Sequence, residues 1–339
     1  AGLKGINSKE LSVVGITEVA AKLPVIFKAY NQLKALLRKE RFDAVVLIDY
    51  PDFNLRFAKA AVKSGVPIVY YISPQVWAWR KGRINLIRRV VDKMLVILPF
   101  EEAIYKDAGV SVEYVGNPLY EETSSTLTKD EAREKLSLNK DKTTLALLPG
   151  SRTEEVTRLL PTMLKGVELL KGVKDFELLL PAADTIKDKL LDELLSKTPL
   201  TVRVIRGDFR SVVKASDAVV VASGTATLEV ALLETPMVIV YKVSTTSYMV
   251  GRLLINLENI GLPNIVAKER VVNELIQGNV TPENIAREIG LLLNDNTRIE
   301  AVKEGYARII DTLKTDAPAN IQAAKAVLNV LEEKRKNNP

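Results

Sequence analysis

Histidine and cysteine are both missing from this 339-residue chain. Without cysteine there is no disulfide and no thiolate chemistry, a composition that suits a reducing compartment. Without histidine the commonest metal ligand and the commonest general base are gone. No metal site is therefore expected, and any base must be a carboxylate, a lysine or a tyrosine. Aromatic residues are scarce at 6%, and the only tryptophans, Trp77 and Trp79, sit two positions apart. No apolar run reaches the roughly 18–20 residues of a membrane-spanning helix. The opening residues show no secretory pattern, so a soluble or peripheral protein is expected.

What is present is an ordinary globular composition, 47% hydrophobic, in a chain long enough for two domains. Its net charge of +6 is unevenly placed, because residues 1–116 hold 18 Lys and Arg against 11 Asp and Glu. A basic first third attracts anionic lipid, anionic substrate or nucleic acid, or merely keeps the surface soluble; no nucleic-acid partner is expected, because no aromatic platform or recognised motif accompanies the charge.

Strand-length apolar runs alternate with amphipathic helical patterns almost throughout. Residues 43–49, 66–71, 93–98 and 111–115 read as strands of a first series. Residues 143–148, 176–181, 201–205, 217–222 and 236–241 read as those of a second. The runs lack polar alternation, as expected for parallel strands covered on both faces. Residues 119–142 turn polar after Asn117-Pro118 and read as a linker with one short helix. The expected organisation is α/β, with two doubly wound Rossmann-like domains facing across a cleft. They span residues 1–118 and 143–315, and 316–339 forms a terminal helix. Ligands bind such sheets at the carboxyl ends of strands.

Three strand ends carry residues suited to chemistry. "LLPGSRTEEV" ends a strand in a Pro-Gly turn and starts a helix near Thr153, placing Gly150, Ser151 and Arg152 where a phosphate would meet helix amides and a guanidinium. The same residues also suit plain helix capping. "VVASGTATLE" repeats the arrangement with Ser223, Gly224 and Thr225, and Glu229 one turn into the helix could take ribose hydroxyls or simply favour the helix start. "LIDYPDFN" ends a strand in Asp49, the best candidate base in a chain without histidine, with Asp52 expected as the helix cap. Further upstream, Val14, Ile16, Leu23, Ile26 and Phe27 are interleaved with lysines. They suit either a membrane interface or a helix packed on a sheet.

With "YISPQVWAWRKGR", "ILPFE", "VGNPL" and "GLPNIVAKERVVNELIQ", these stretches resemble the lipid-A-disaccharide synthase family of GT-B glycosyltransferases, from about residue 10 to 277. The resemblance implies an inverting transfer from UDP-2,3-diacylglucosamine to 2,3-diacylglucosamine 1-phosphate, giving the β-1,6 disaccharide 1-phosphate and UDP in lipid A biosynthesis. It implies Asp49 and Arg152 as catalytic residues. Gly150, Ser151, Ser223, Gly224, Thr225, Glu229 and Asn264 would join Arg152 around the UDP-sugar. Trp77 and Trp79 would brace a loop or meet lipid, while Arg80, Lys81 and Arg83 meet phosphate. No cofactor or metal is implied. The expected location is peripheral, on the cytoplasmic face of the inner membrane, with a homodimer left open. The family's opening strand and Gly-Glu-Ala-Ser-Gly-Asp loop are not found, so the N-terminus is expected to be incomplete. Asn117 stands where the family often has histidine. The alternatives are another UDP-sugar GT-B enzyme (a GlcNAc transferase or a UDP-GlcNAc epimerase) or a non-catalytic UDP-sugar or lipid binder.

Overall fold

The computed structural model describes residues 16–77, 82–124, 127–170, 175–244 and 258–337; of residues 16–23 only the helical backbone is described. The chain divides into two compact units, residues 1–116 with 317–339 and residues 117–316.

The first unit runs α1 (Ile16–Lys39), β1 (Val45–Ile48), α2 (Pro51–Ala61), β2 (Ile68–Tyr71), α3 (Arg83–Val90), β3 (Lys93–Val96), α4 (Phe100–Asp107) and β4 (Val112–Tyr114). All strands pair in parallel, in the order β1-β2-β3-β4. Alternate side chains point to opposite faces of a strand, and both faces of β2 and β3 are covered, while edge strand β1 leaves Val46 and Ile48 exposed. Ile68, Tyr70, Met94 and Val96 enter the larger core with Leu55, Phe57 and Ile87 of the helices. Tyr30 of α1 meets Phe53 and Phe57 of α2 edge-on, with ring centroids 6.3 and 6.2 Å apart. The intervening Val69 and Leu95, with Val115, pack against Ala323, Ala326 and Val330 of the C-terminal helix, Ala319–Asn337. Two alanines on that helix let its backbone approach the sheet closely. The terminal helix thus completes the core of the first unit.

The second unit contains α5 (Pro118–Ser124), α6 (Lys129–Lys135), β5 (Thr143–Leu148), α7 (Thr153–Glu168), β6 (Phe176–Ala182), α8 (Asp188–Leu195), β7 (Val202–Arg206), α9 (Phe209–Ala215), β8 (Ala218–Ala222), α10 (Thr225–Leu232), β9 (Met237–Tyr241), α11 (Leu262–Ala267), β10 (Glu274–Ile276), α12 (Pro282–Asn294) and α13 (Asn296–Leu313). Its parallel sheet has the order β10-β9-β8-β5-β6-β7. The chain winds outward from β5 through β6 to β7, returns to β8 on the other side of β5, and winds outward again. The switch point therefore falls between β5 and β8.

Residues 119–142 carry two helices in the second unit. Their polarity is spent on specific partners. Thr128 and Glu131 form a capping box at the start of α6. Arg133, 8% exposed, donates to the Ala215 carbonyl at 3.0 Å and pairs with Asp217 at 2.7 Å, and Lys129 pairs with the same carboxylate at 2.7 Å. These cations hold the Asp217 carboxyl below the usual carboxylate range, against the opposing effect of its burial.

Candidate active site

At the switch point of the second unit, the carboxyl ends of β5, β6, β7 and β8 surround a cavity of about 550 Å³. The two loops expected to bind phosphate both line it: Gly150, Ser151 and Arg152 after β5, and Ser223, Gly224 and Thr225 after β8. The loops after β6 and β7 add Asp184 and Phe209 among others, which the sequence did not single out. Thr185 secures the first loop, its hydroxyl donating to the Ser151 carbonyl at 2.6 Å. The Ser223 hydroxyl donates to the Ile260 carbonyl at 3.1 Å. Arg152 is the N-cap of α7 without a side-chain cap bond, and its guanidinium is exposed beside Glu155 at 2.9 Å.

The two loop glycines serve different ends. Gly150 has φ of +112°, and a Cβ there would lie 2.9 Å from that of Glu155. Gly224 has φ of +163°, an extended backbone open to any residue, and a Cβ there would meet no heavy atom within 4 Å. Neither conformation nor packing requires glycine at 224, so what the missing side chain leaves is room at the start of α10. The Gly150→Ala variant should therefore lose about 1–3 kcal/mol of stability in urea denaturation. The Gly224→Ala variant should stay within about 0.5 kcal/mol and lose UDP affinity by calorimetry. Equal UDP binding by Gly224→Ala and the parent would contradict this division.

Asp49 directly follows β1 in the first unit, exposed, with φ of +46°, and Tyr50 comes next with φ of +44°. Ile72, at the end of neighbouring β2, has φ of +63°. Left-handed backbone is uncommon for residues other than glycine and costly for a β-branched one. Three such residues thus follow the carboxyl ends of two adjacent strands. Tyr50, not Asp52, is the N-cap of α2; Pro51 takes the first helical position, and Asp52 in the first turn pairs with Arg83.

Beyond β2 the Ser73–Trp77 segment is held from beneath by Glu101, the last residue of "ILPFE", to which the sequence alone assigns no role. Glu101 is 2% exposed and accepts from the Ser73 hydroxyl at 2.7 Å, the Trp77 indole at 3.0 Å and the Leu98 amide at 3.2 Å. Burial pushes its carboxyl above the usual range, and those hydrogen bonds oppose the shift. Trp77 also meets Phe100 edge-on at 5.2 Å. Its indole therefore braces the loop. Trp79, Arg80 and Lys81 lie outside the described residues.

Asn264 does not line the cavity as expected. It is 0% exposed, and its amide donates to the Val272 carbonyl at 2.9 Å and to Glu274 at 2.7 Å while accepting from the Val272 amide at 3.0 Å. Glu274 also takes the amides of Ile260 and Gly261 at 3.0 and 2.9 Å. This buried bracket fixes the segment whose Ile260 carbonyl receives Ser223. Glu229 lies beyond the cavity lining, its carboxylate held by Arg210 at 2.8 Å, and Arg210 also pairs with Glu122. In the first unit, Phe27 is 58% exposed and Ile26 half-buried; Ile16 and Leu23 lie on the part of α1 whose side chains are not described, and Val14 precedes the described residues.

Two parallel α/β units, the second with a cavity at its switch point, have counterparts among solved structures. A glycosyltransferase from Rickettsia africae ESF-5 aligns with a TM-score of 0.55 at 12% identity, over 93% of this chain and 82% of that one. A UDP-GlcNAc 2-epimerase from Neisseria meningitidis bound to UDP-GlcNAc gives 0.59 at 13% identity, over 89% and 84%. At such identities the likeness is one of fold, and the fold is the GT-B type of the glycosyltransferases.

Sequence resolves the family within that fold. The chain belongs to the lipid-A-disaccharide synthetase family, whose profile matches residues 4–327. It is 47% identical to the lipid-A-disaccharide synthase of Syntrophus aciditrophicus (strain SB), over 96% of this chain and 88% of that protein.

Proposed function

We propose that the chain carries out the complete reaction of its family. It transfers the sugar of UDP-2,3-diacylglucosamine to the 6-hydroxyl of 2,3-diacylglucosamine 1-phosphate, releasing UDP and the β-1,6-linked disaccharide 1-phosphate. The observation that carries this reading is the convergence of two phosphate-suited loops on one cavity, with an unexplained glycine at the start of α10.

The diphosphate of UDP lies against the first amides of α10, where the helix dipole favours negative charge, and takes a bidentate contact from Arg152. Arg152 is already paired with Glu155, but that pair is exposed and worth only about 0–1 kcal/mol, so a phosphate replaces it at little cost. The ribose extends past the cavity lining to Glu229, whose carboxylate is aimed by Arg210. Asp49 accepts the proton of the acceptor's 6-hydroxyl as that oxygen bonds to the donor's anomeric carbon. The carbon–oxygen bond to the diphosphate breaks at the same time, and its electron pair leaves with UDP. The configuration inverts. Helix amides and Arg152 balance the leaving charge, so no metal or cofactor is required.

Among the described residues, no helix is long and apolar enough to cross a membrane. The basic excess of residues 1–116 and the exposed Phe27 support contact between the first unit and an anionic lipid surface, at the cytoplasmic face of the inner membrane.

The test is to supply both acylated glucosamine substrates and follow the tetra-acylated disaccharide 1-phosphate by mass spectrometry beside released UDP. Stoichiometric formation of the two is expected. An epimerised UDP-sugar, or UDP binding without any disaccharide, would overturn the assignment.

A further inference from the structure

Asp49 lies in the left-handed backbone region, which aspartate tolerates but which the tyrosine that follows rarely adopts. It and Tyr50 form two successive left-handed residues, neither of them glycine. Such a pair persists only where its surroundings over-determine it.

Here the restraint converges on one atom. The Asp49 carbonyl accepts from the Tyr70 hydroxyl at 2.6 Å and from the Asn54 side-chain amide at 2.6 Å. The same Asn54 amide donates to the Ile48 carbonyl at 2.9 Å. On its other side, the Asp49 amide donates to the Tyr71 carbonyl at 3.0 Å, extending the β1–β2 ladder by one step. The Asn54 amide of the main chain donates to the Tyr50 carbonyl at 3.0 Å, opening α2 directly after the turn. Every main-chain polar group of Asp49 is thus committed, while its side chain stays exposed.

Tyr70 is 0% exposed on the middle of β2. Burial and the nearby Asp49 carboxylate push its phenol far above the ordinary value, so it remains a hydrogen-bond donor across the working pH range. It reaches Asp49 from the neighbouring strand, whereas Asn54 reaches back from the first turn of the following helix. Donors from two different elements meet on a single carbonyl oxygen.

We infer that Tyr70 and Asn54 are positioning residues for the reaction: they lock the strained Asp49–Tyr50 turn so that the Asp49 carboxylate is presented in one fixed direction. Neither side chain acts on substrate. Each acts through the main chain of Asp49, and the inference rests on the reading of Asp49 as the base. Proton transfer depends steeply on alignment, and a misplacement of about 1 Å can cost about 100-fold in rate. The clamp therefore bears on turnover and not on the binding of UDP-sugar, which falls to the second unit.

The experiment measures kcat and the KM for UDP-2,3-diacylglucosamine in Tyr70→Phe, Asn54→Ala and the double variant, with Asp49→Asn alongside and thermal midpoints recorded for all. Each single variant is expected to lose about tenfold in kcat and the double about 100-fold, with KM within twofold of the parent. If both singles keep kcat within twofold while Asp49→Asn is inactive, the clamp is refuted and Asp49 stands as the base. If Asp49→Asn turns over like the parent, the base assignment itself fails, and the positioning role with it. A parallel rise in KM and fall in midpoint without a change in kcat would mark the two residues as purely structural. Should Asn54→Ala not fold, Tyr70→Phe, which deletes a single oxygen, decides alone.

Discussion

Asp49→Asn should lower kcat by about 10²–10⁴-fold, the usual contribution of a positioned general base, while calorimetric UDP affinity stays unchanged. The substitution is well suited to the site. Asparagine is nearly isosteric with aspartate and, like it, tolerates the left-handed region, so a φ of +46° is no obstacle. The main-chain bonds to Tyr70, Asn54 and Tyr71 do not involve the carboxylate and survive the change. What disappears is the proton acceptor. UDP serves as the control ligand because the cavity proposed for it is lined wholly by the second unit. Turnover within about threefold of the parent would remove Asp49 from the mechanism and return attention to the remaining carboxylates of the first unit.

The second large effect is expected at Arg152. Replacing it with alanine should reduce kcat/KM by about 10²–10³-fold, the range seen when one group stabilising developing charge is lost, and should also weaken UDP binding. Stability should barely move, because the side chain is exposed and its pairing with Glu155 is of the weak surface kind. A lysine at 152 should recover part of the loss, since it restores the charge without the planar fork that meets two phosphate oxygens at once. Steady-state kinetics beside UDP titrations check both variants. An alanine variant with parental kcat/KM and parental UDP affinity would leave the helix amides as the only anion site.

The inner strands were legible because their apolar runs are buried on both faces and have little reason to alternate, whereas β1 and β7, at the ends of their sheets, keep Val46, Ile48 and Val204 exposed and were legible as β-branched runs. β5 matches the run at 143–148, and the other long strands begin or end within a few residues of theirs. β10 was missed. It has three residues, too few to show a period, and one of them is Glu274, whose buried carboxylate is satisfied by Asn264 and two main-chain amides. The same contact takes Asn264, which the resemblance placed around the UDP-sugar, out of the cavity lining, because its amide is spent on Glu274 ten positions later and on the Val272 carbonyl.

The candidate site was legible where chemistry is written into one loop, as in PGSR and SGT. It was not legible where sheet order decides. Asp184 and Phe209 line the cavity because β6 and β7 follow β5 on one side of the switch, and local pattern does not reveal neighbours. Tyr70 is hidden for a related reason. In the sequence it is one more apolar strand residue, and only the register of β1 on β2 brings its hydroxyl to the Asp49 carbonyl.

The closing of the first unit by the C-terminal helix has a consequence for synthesis on the ribosome. Val69, Leu95 and Val115 are made before residue 117, but Ala323, Ala326 and Val330, which cover them, follow the whole second unit. At about 5–20 residues per second, the intervening 200-odd residues take roughly 10–40 s to make. During that interval the nascent first unit carries an uncovered apolar sheet face, and every residue of the second unit is made before the helix that closes the first. The unit whose synthesis begins first is thus the last to have all of its residues.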